Sequence, residues 1–150
     1  MNNVHFSSAK SDWGTPLYFF QRLDEIYNFT LDPCANNLNA KCKNYFDRDG
    51  LKKDWSNNSV FVNPPYGRNI GNWVKKGYEE GLKENTMVVM LLPCRTDTRW
   101  WHDYCMKAEK VFFVKGRLIF DGAVNSAPFP SCVVVFNGEN NNIAFLTMEK

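Results

Sequence analysis

Val60-Phe61-Val62-Asn63-Pro64-Pro65-Tyr66 is the stretch on which the reading of the chain turns. Val60 to Val62 are apolar residues with β character, the pattern of a short strand buried on both faces. Two consecutive prolines cannot donate to a sheet ladder, so the strand stops at Asn63. Pro64 also biases Asn63 toward an extended backbone. The product is a rigid corner at a strand's carboxyl end, carrying an amide side chain, the free carbonyl of Pro64 and the ring of Tyr66. Open α/β sheets bind their ligands at that end of the strands.

The Asn63 oxygen and the Pro64 carbonyl are two uncharged acceptors held side by side. They suit a flat –NH2 group whose two hydrogens must both be held, such as the exocyclic amine of adenine. Accepting both hydrogens favours a pyramidal nitrogen and aims its lone pair at an electrophile, while Tyr66 stacks on the base. Such catalysis works by positioning and oriented dipoles rather than by a strong base. The plain alternative is a strand followed by a proline turn, with Tyr66 as core filler.

At 150 residues and 44% hydrophobic content the chain has material for one core and little room for a second. It reads as a single domain over residues 1–150, with a polar, flexible stretch at 1–11. A formal net charge of +2 allows a polyanionic partner without requiring one. The five cysteines are odd in number and contain no CxxC pair, and no apolar segment follows Met1. Reduced thiols and a cytoplasmic location are therefore expected. Cys34, Cys42 and His102 match no zinc-ligand spacing, so no metal is expected. The longest apolar run, Met87 to Leu92, is far too short to span a bilayer.

Toward the N-terminus, Thr15 reads as a helix N-cap and Pro16 as a first-turn residue. Leu17, Phe20, Leu23 and Tyr27 then mark a buried helical face. Phe29 to Asp32 reads as a short strand closed by Pro33, which puts the Asp32 carboxylate at a strand's carboxyl end, as Asn63 is. The ten residues from there to Cys42 leave no room for a crossover helix. A turn through Asn36-Asn37 is expected instead, then a second short strand at Asn44 to Asp47.

Ile70, Trp73, Val74 and Leu82 mark a helix, and Met87 to Leu92 a buried strand ended by Pro93. Cys94 to His102 is a polar loop entering a helix capped by Asp97 or Thr98. Val111 to Val114 and Arg117 to Phe120 read as a hairpin around Lys115-Gly116. Cys132 to Phe136 and an edge strand at Ile143 to Met148 complete the pattern. The order predicts an α/β fold, a mostly parallel sheet with an antiparallel hairpin at one side.

Asn63-Pro64-Pro65-Tyr66 resembles the NPPY motif of amino-group methyltransferases that use S-adenosylmethionine. The wider series is DWGTP, LDPCA, DGL with DW, FVNPPYG, LLPCRTDTRWWHD, GRLIF and APFPSCVVVF, running from Asp12 to Phe136. Together these resemble the phage-type DNA adenine N-methyltransferases. The resemblance implies a Rossmann-like methyltransferase fold in a minimal version without a target-recognition domain. It implies S-adenosylmethionine as donor, S-adenosylhomocysteine as product, adenine in DNA as acceptor, and a phage or prophage origin. It makes Asn63, Pro64, Pro65 and Tyr66 the catalytic residues. Thr15 and Pro16 resemble the family's N-terminal cofactor motif. Asp32, Pro33 and Ala35 stand where its first cofactor motif ends a strand, with Asp32 meeting the ammonium of the methionine part. Asp49, ahead of Asp47, meets the ribose or adenine of the cofactor, with Asp54 as runner-up. One departure is plain: the segment from Asp32 to Asn37 lacks the glycine-rich loop of many methyltransferases.

An amine inside a duplex stack is reached by flipping the base out. Phe129 is then a second wall of the base pocket, or else a hydrophobic plug before a strand. Arg95, Thr96 and Arg99 are read as DNA contacts, the arginines as phosphate clamps; the alternative is that Arg95 pairs with Asp97 or another local carboxylate to fix the loop. The expected partner is DNA, bound by a monomer or weak homodimer, with no membrane. Rival activities are methylation of cytosine N4, of RNA adenine or of a protein glutamine. The non-enzyme rival is a DNA-binding accessory protein on a dead methyltransferase fold.

Overall fold

The two apolar runs that end in proline lie side by side. A computed structural model describes residues 13–150, so the flexible stretch expected at 1–11 lies outside the described residues. Strand β1 (Ser59–Val62) pairs in parallel with β2 (Met87–Pro93), Val60 opposite Val88 and Val62 opposite Met90. β4 (Ser131–Phe136) runs antiparallel along the other edge of β2, with Leu91 opposite Val133. β3 (Lys110–Lys115) pairs antiparallel with β4, and β5 (Ala144–Glu149) runs parallel to β3 outside it. The strand order is β1-β2-β4-β3-β5. Every residue of β4 is buried, as its unbroken apolar run demands.

Several expectations are revised, two of them in the sheet. The sheet is mixed: β1, β2, β3 and β5 run one way and β4 alone runs against them, in the middle of the sheet rather than in a hairpin at one side. Arg117 to Phe120 forms no hairpin with β3. Gly116 takes φ +83° and turns the chain away, as a residue without Cβ can. Leu118 and Phe120 are 0% and 2% exposed, while the Leu118 carbonyl accepts the Ala127 N–H at 2.8 Å. Alternating burial imitates a strand there, but the hydrogen bonds go to a loop.

Phe29 to Asp32 and Asn44 to Asp47 shrink from expected strands to single parallel bridges, Leu31 with Val60 and Asp32 with Tyr45. Both still continue the sheet direction past β1. Asp32 therefore arrives at the same sheet edge as Asn63.

Helices cover both faces. On one face α1 (Leu17–Tyr27) buries Phe19, Phe20 and Leu23, and Phe20 meets Phe61 edge-on at 5.1 Å. Leu17, expected on that face, is exposed. Thr15 is not the N-cap: the Pro16 carbonyl takes the Phe19 and Phe20 N–H groups at 3.1 and 3.0 Å, and Pro16 stands before the helix. On the other face α2 (Ile70–Gly81) buries Trp73 and Val74. The short α3 (Arg99–Asp103) follows β2, with the Thr98 hydroxyl accepting the Trp101 N–H as its cap.

A buried carboxylate on α2 ties in the segment before β1. Glu80 is 1% exposed, accepts the Trp55 N–H at 2.8 Å, and pairs with Lys76 at 3.1 Å and with Lys83. Burial raises its pKa, but hydrogen bonds from Lys83, Trp55 and Lys76 outweigh that and hold the carboxyl below its usual value. Trp55 stacks on Trp73 with centroids 6.3 Å apart and donates its indole N–H to the Gly50 carbonyl at 2.8 Å. The stretch around Gly50 is thereby fixed against α2, beside the carboxyl ends of the strands.

Candidate active site

At those carboxyl ends lies a cleft of ≈ 280 Å³. It is lined by nine of the residues singled out above: Thr15, Asp32, Pro33, Ala35, Asp47, Asp49, Asn63, Pro64 and Pro65. Pro16 is not among them; its carbonyl starts α1. Tyr66 is not either: it is buried, and its hydroxyl donates to the Leu91 carbonyl at 2.9 Å. Burial holds that phenol protonated well above its ordinary range, so Tyr66 ties the proline corner to β2.

The Asn63 amide is held from one side. Its Nδ2 donates to the Trp13 carbonyl and, at 2.9 Å, to Thr15 Oγ1. Its Oδ1 is buried and has no hydrogen-bond partner among the described residues. A buried acceptor left unpaired costs about 1–3 kcal/mol, so it marks a place for a further hydrogen-bond donor.

Beside it four rings cluster. Phe129 packs edge-on against Trp13 at 5.3 Å and against Tyr66 at 5.6 Å, and Phe120 touches all three. Phe129 therefore already touches Tyr66.

Asp32 is 6% exposed and accepts the Cys34 N–H at 2.9 Å. Burial raises its pKa to about 6, against the lowering effect of that N–H and of Lys41. Lys41, absent from the sequence reading, lines the same cleft with a side chain only 14% exposed. Its ion pair with Asp121 is long, at 3.9 Å. Nothing in a polar asparagine-rich loop distinguishes such a lysine from a solvated one. Trp73 and Phe46 supply apolar walls; Trp73 reads from the sequence as core, which it also is.

The missing glycine-rich loop has a local explanation. Asn36 and Asn39 hold the turn reciprocally: Asn36 Oδ1 accepts the Leu38 and Asn39 N–H groups, and Asn39 Oδ1 accepts the Asn36 N–H at 2.7 Å. The close approach is met from across the cleft by Gly50, where a Cβ would stand 2.0 Å from the Pro33 carbonyl oxygen. Gly50→Ala is accordingly expected to destabilise by about 1–3 kcal/mol through overpacking, read as a Tm lower by several degrees. An unchanged Tm would show that Pro33 yields freely.

Asp47 and Asp49 both stand exposed on the rim. Asp49 takes a left-handed backbone, φ 57°, and Asp47 faces Arg48 at 3.8 Å. Asp54, the runner-up, is elsewhere: it bonds Ser56 and pairs with Lys83 at 2.9 Å, outside the cleft. Arg95, Thr96 and Arg99 also lie off the cleft, in the turn after β2 and at the start of α3. Arg95 makes no ion pair with Asp97 among the described residues; its carbonyl instead holds Thr98 at 2.8 Å. Arg99 faces Asp103 at 3.8 Å with its side chain 95% exposed. Cys34, Cys42 and His102 form no metal-holding group among the described residues.

An α/β sheet with an amide and a carboxylate at neighbouring strand ends is compatible with the class of amino-group methyltransferases. A family model for DNA N-6-adenine-methyltransferase (Dam) matches residues 4–147. A DNA N-6-adenine-methyltransferase of Haemophilus phage HP1 (strain HP1c1) is 32% identical over 119 residues, 75% of this chain and 68% of the relative. One of Escherichia phage T1 is 30% identical over 113 residues, 73% of this chain and 47% of the relative. The chain belongs to the DNA N-6-adenine-methyltransferase (Dam) family. Its reaction is methylation of adenine N6 in DNA.

Proposed function

We propose that one domain performs this reaction with S-adenosylmethionine as donor, on an adenine flipped out of the duplex against Asn63 and Pro64. The observation that carries the reading is the buried Asn63 Oδ1, which has no hydrogen-bond partner among the described residues. The adenine amine supplies the missing donor there, and Pro64 accepts its second hydrogen. Drawing on both hydrogens turns the amine lone pair out of the ring, ready to attack.

The donor set fits the cofactor. Asp32, buried in the cleft, meets an ammonium, and Lys41 at the same wall meets a carboxylate, so the two ends of an amino acid are matched without a glycine-rich loop. Asp49 or Asp47 receives the ribose hydroxyls, and Trp73 and Phe46 enclose the adenine. When bound, the cofactor supplies an electrophilic methyl on sulfur. Methyl transfer leaves one extra proton on N6; Asn63 Oδ1 and Pro64 keep hold of the hydrogens until it passes to water. No strong base is needed.

DNA is the partner, met by a monomer or weak dimer. Among the described residues no helix is long and apolar enough to cross a membrane. Both relatives come from phages, which suits a phage or prophage origin and action in a bacterial cytoplasm. The test is methyl transfer from labelled S-adenosylmethionine to DNA with the modified nucleoside identified. N6-methyladenine is expected; N4-methylcytosine or no transfer overturns the reading.

Arg95 and Arg99 are assigned to phosphates of the substrate strand. Arg95→Ala and Arg99→Ala should each weaken DNA binding and reduce the slope of log affinity against log salt by about one unit. Weaker binding with an unchanged slope would make that arginine structural.

A further inference from the structure

We infer that Thr15 is a positioning residue that locks the Asn63 amide so that only its oxygen faces the substrate amine. The inference rests on the methyl-transfer reading above.

An amide nitrogen has two hydrogens, and both are taken up here. One goes to the Trp13 carbonyl and the other to Thr15 Oγ1 at 2.9 Å. Rotating the amide by half a turn would press Oδ1 against the Trp13 carbonyl, acceptor against acceptor. The lock therefore leaves Oδ1 as the group turned away, and Oδ1 is the atom that is buried without a partner among the described residues.

The locking segment is itself fixed. Thr15 is 4% exposed. Gly14 pairs antiparallel with Asp121, whose N–H donates to the Gly14 carbonyl at 2.9 Å. On the other side Pro16 opens α1 through its carbonyl. Two neighbours of Thr15 are thus tied to different parts of the fold, and the hydroxyl has little freedom to follow a rotating amide.

The lock also favours a base that presents an exocyclic amine over one that presents a carbonyl. An oxygen at this point accepts from the amine of adenine. A carbonyl base such as guanine or thymine would bring a second acceptor against it, an unpaired contact that a freely turning amide would relieve. Thr15 contributes this discrimination without touching the methyl group, although it also lines the cleft.

Thr15→Val keeps the shape and removes the acceptor, whereas Thr15→Ser keeps the acceptor. Single-turnover methylation of duplex DNA at saturating S-adenosylmethionine is measured together with the cofactor Kd. Side-chain NH2 spectra of Asn63 in 15N-labelled protein complete the set. Thr15→Val should slow the single turnover about tenfold, the worth of one oriented hydrogen bond, with the cofactor Kd within about twofold. Thr15→Ser should run close to the parent rate. In the unaltered protein the two Asn63 side-chain hydrogens should exchange slowly with solvent, and this holds as a test even where Thr15→Val does not fold.

A parent rate restored to Thr15→Val by excess cofactor makes Thr15 a cofactor ligand and overturns the inference. So does a Thr15→Ser as slow as Thr15→Val, or freely exchanging Asn63 hydrogens. An active Asn63→Ala overturns the catalytic role given to Asn63, on which the inference rests. An inactive Asn63→Ala beside a fully active Thr15→Val overturns only the role given to Thr15.

Discussion

Asn63→Ala is expected to leave a folded protein that binds S-adenosylmethionine and transfers methyl groups a hundredfold or more too slowly. Removing one oriented partner of the charge that develops in a transition state typically costs about 10²–10³ in rate. Folding should survive, since the carbonyl of Trp13 and the hydroxyl of Thr15 that lose a donor lie beside a cleft open to water. The unpaired Oδ1 is removed as well, which offsets part of the loss. Asn63→Asp is expected to be poor for a different reason. It turns a carboxylate oxygen toward the Trp13 carbonyl, where the structure needs an N–H. Single-turnover rates with saturating cofactor and DNA give the comparison; Asn63→Ala at more than a tenth of the parent rate would sink the mechanism.

Asp32→Asn should do two opposite things at once. The cofactor-free protein becomes more stable at pH 7, and S-adenosylmethionine binding weakens by about tenfold or more as a charged hydrogen bond is lost. The sign follows from proton linkage. Burial lifts the Asp32 pKa in the folded state from 3.8 to about 6, so the folded protein holds a proton that the unfolded chain has already released. Stability contributed by this group is present at low pH and is lost as pH rises from about 4 through 6. At pH 7 the full penalty stands, about 1–3 kcal/mol. Asparagine keeps an oxygen for the Cys34 N–H without the charge.

Urea unfolding at pH 7 and pH 4 reads this out: the variant's advantage should be clear at the first and nearly gone at the second. For the unaltered protein, cofactor affinity should weaken as pH falls below 6, because a neutral carboxyl meets an ammonium poorly. A variant less stable at both pH values would mean that Asp32 is not the strained group.

What the sequence disclosed follows from proline. Pro64 and Pro33 end short apolar runs, and a run stopped by proline puts its last polar residue at the strand's carboxyl end. Asn63 and Asp32 were legible for that reason, and both line the cleft. Lys41, Gly50 and the Trp13 carbonyl were not, because their roles arise from chain segments that meet only in three dimensions. Gly50 matters through Pro33, seventeen residues earlier in the chain.

Thr15 carries a helix-cap signature, and a local rule cannot see that Asn63 competes for its hydroxyl. The segment from Arg117 to Phe120 failed for the complementary reason. Its period-two burial is real, but periodicity says which side chains go in, not which backbone groups pair. Tyr66 read as a base-stacking ring; its hydroxyl bond to the Leu91 carbonyl depends on the neighbouring strand and has no trace in the motif.

If the adenine flips in as proposed, the ring cluster of Trp13, Tyr66, Phe120 and Phe129 turns its admission into a trade of partners. Asn63 Oδ1 is sealed from solvent, so an arriving base gains it only as something already packed there gives way. Phe129 sits on the loop into β4 and leans on Tyr66 and Trp13. Each such ring pair is worth about 0.5–1.5 kcal/mol, and a base stacked on an aromatic side chain about 1–3 kcal/mol. One aromatic contact replaces another of similar worth, so on the protein side the exchange is close to even. The bias toward the flipped state then falls to the amine's hydrogen bonds. A base that cannot make them has nothing to tip it in.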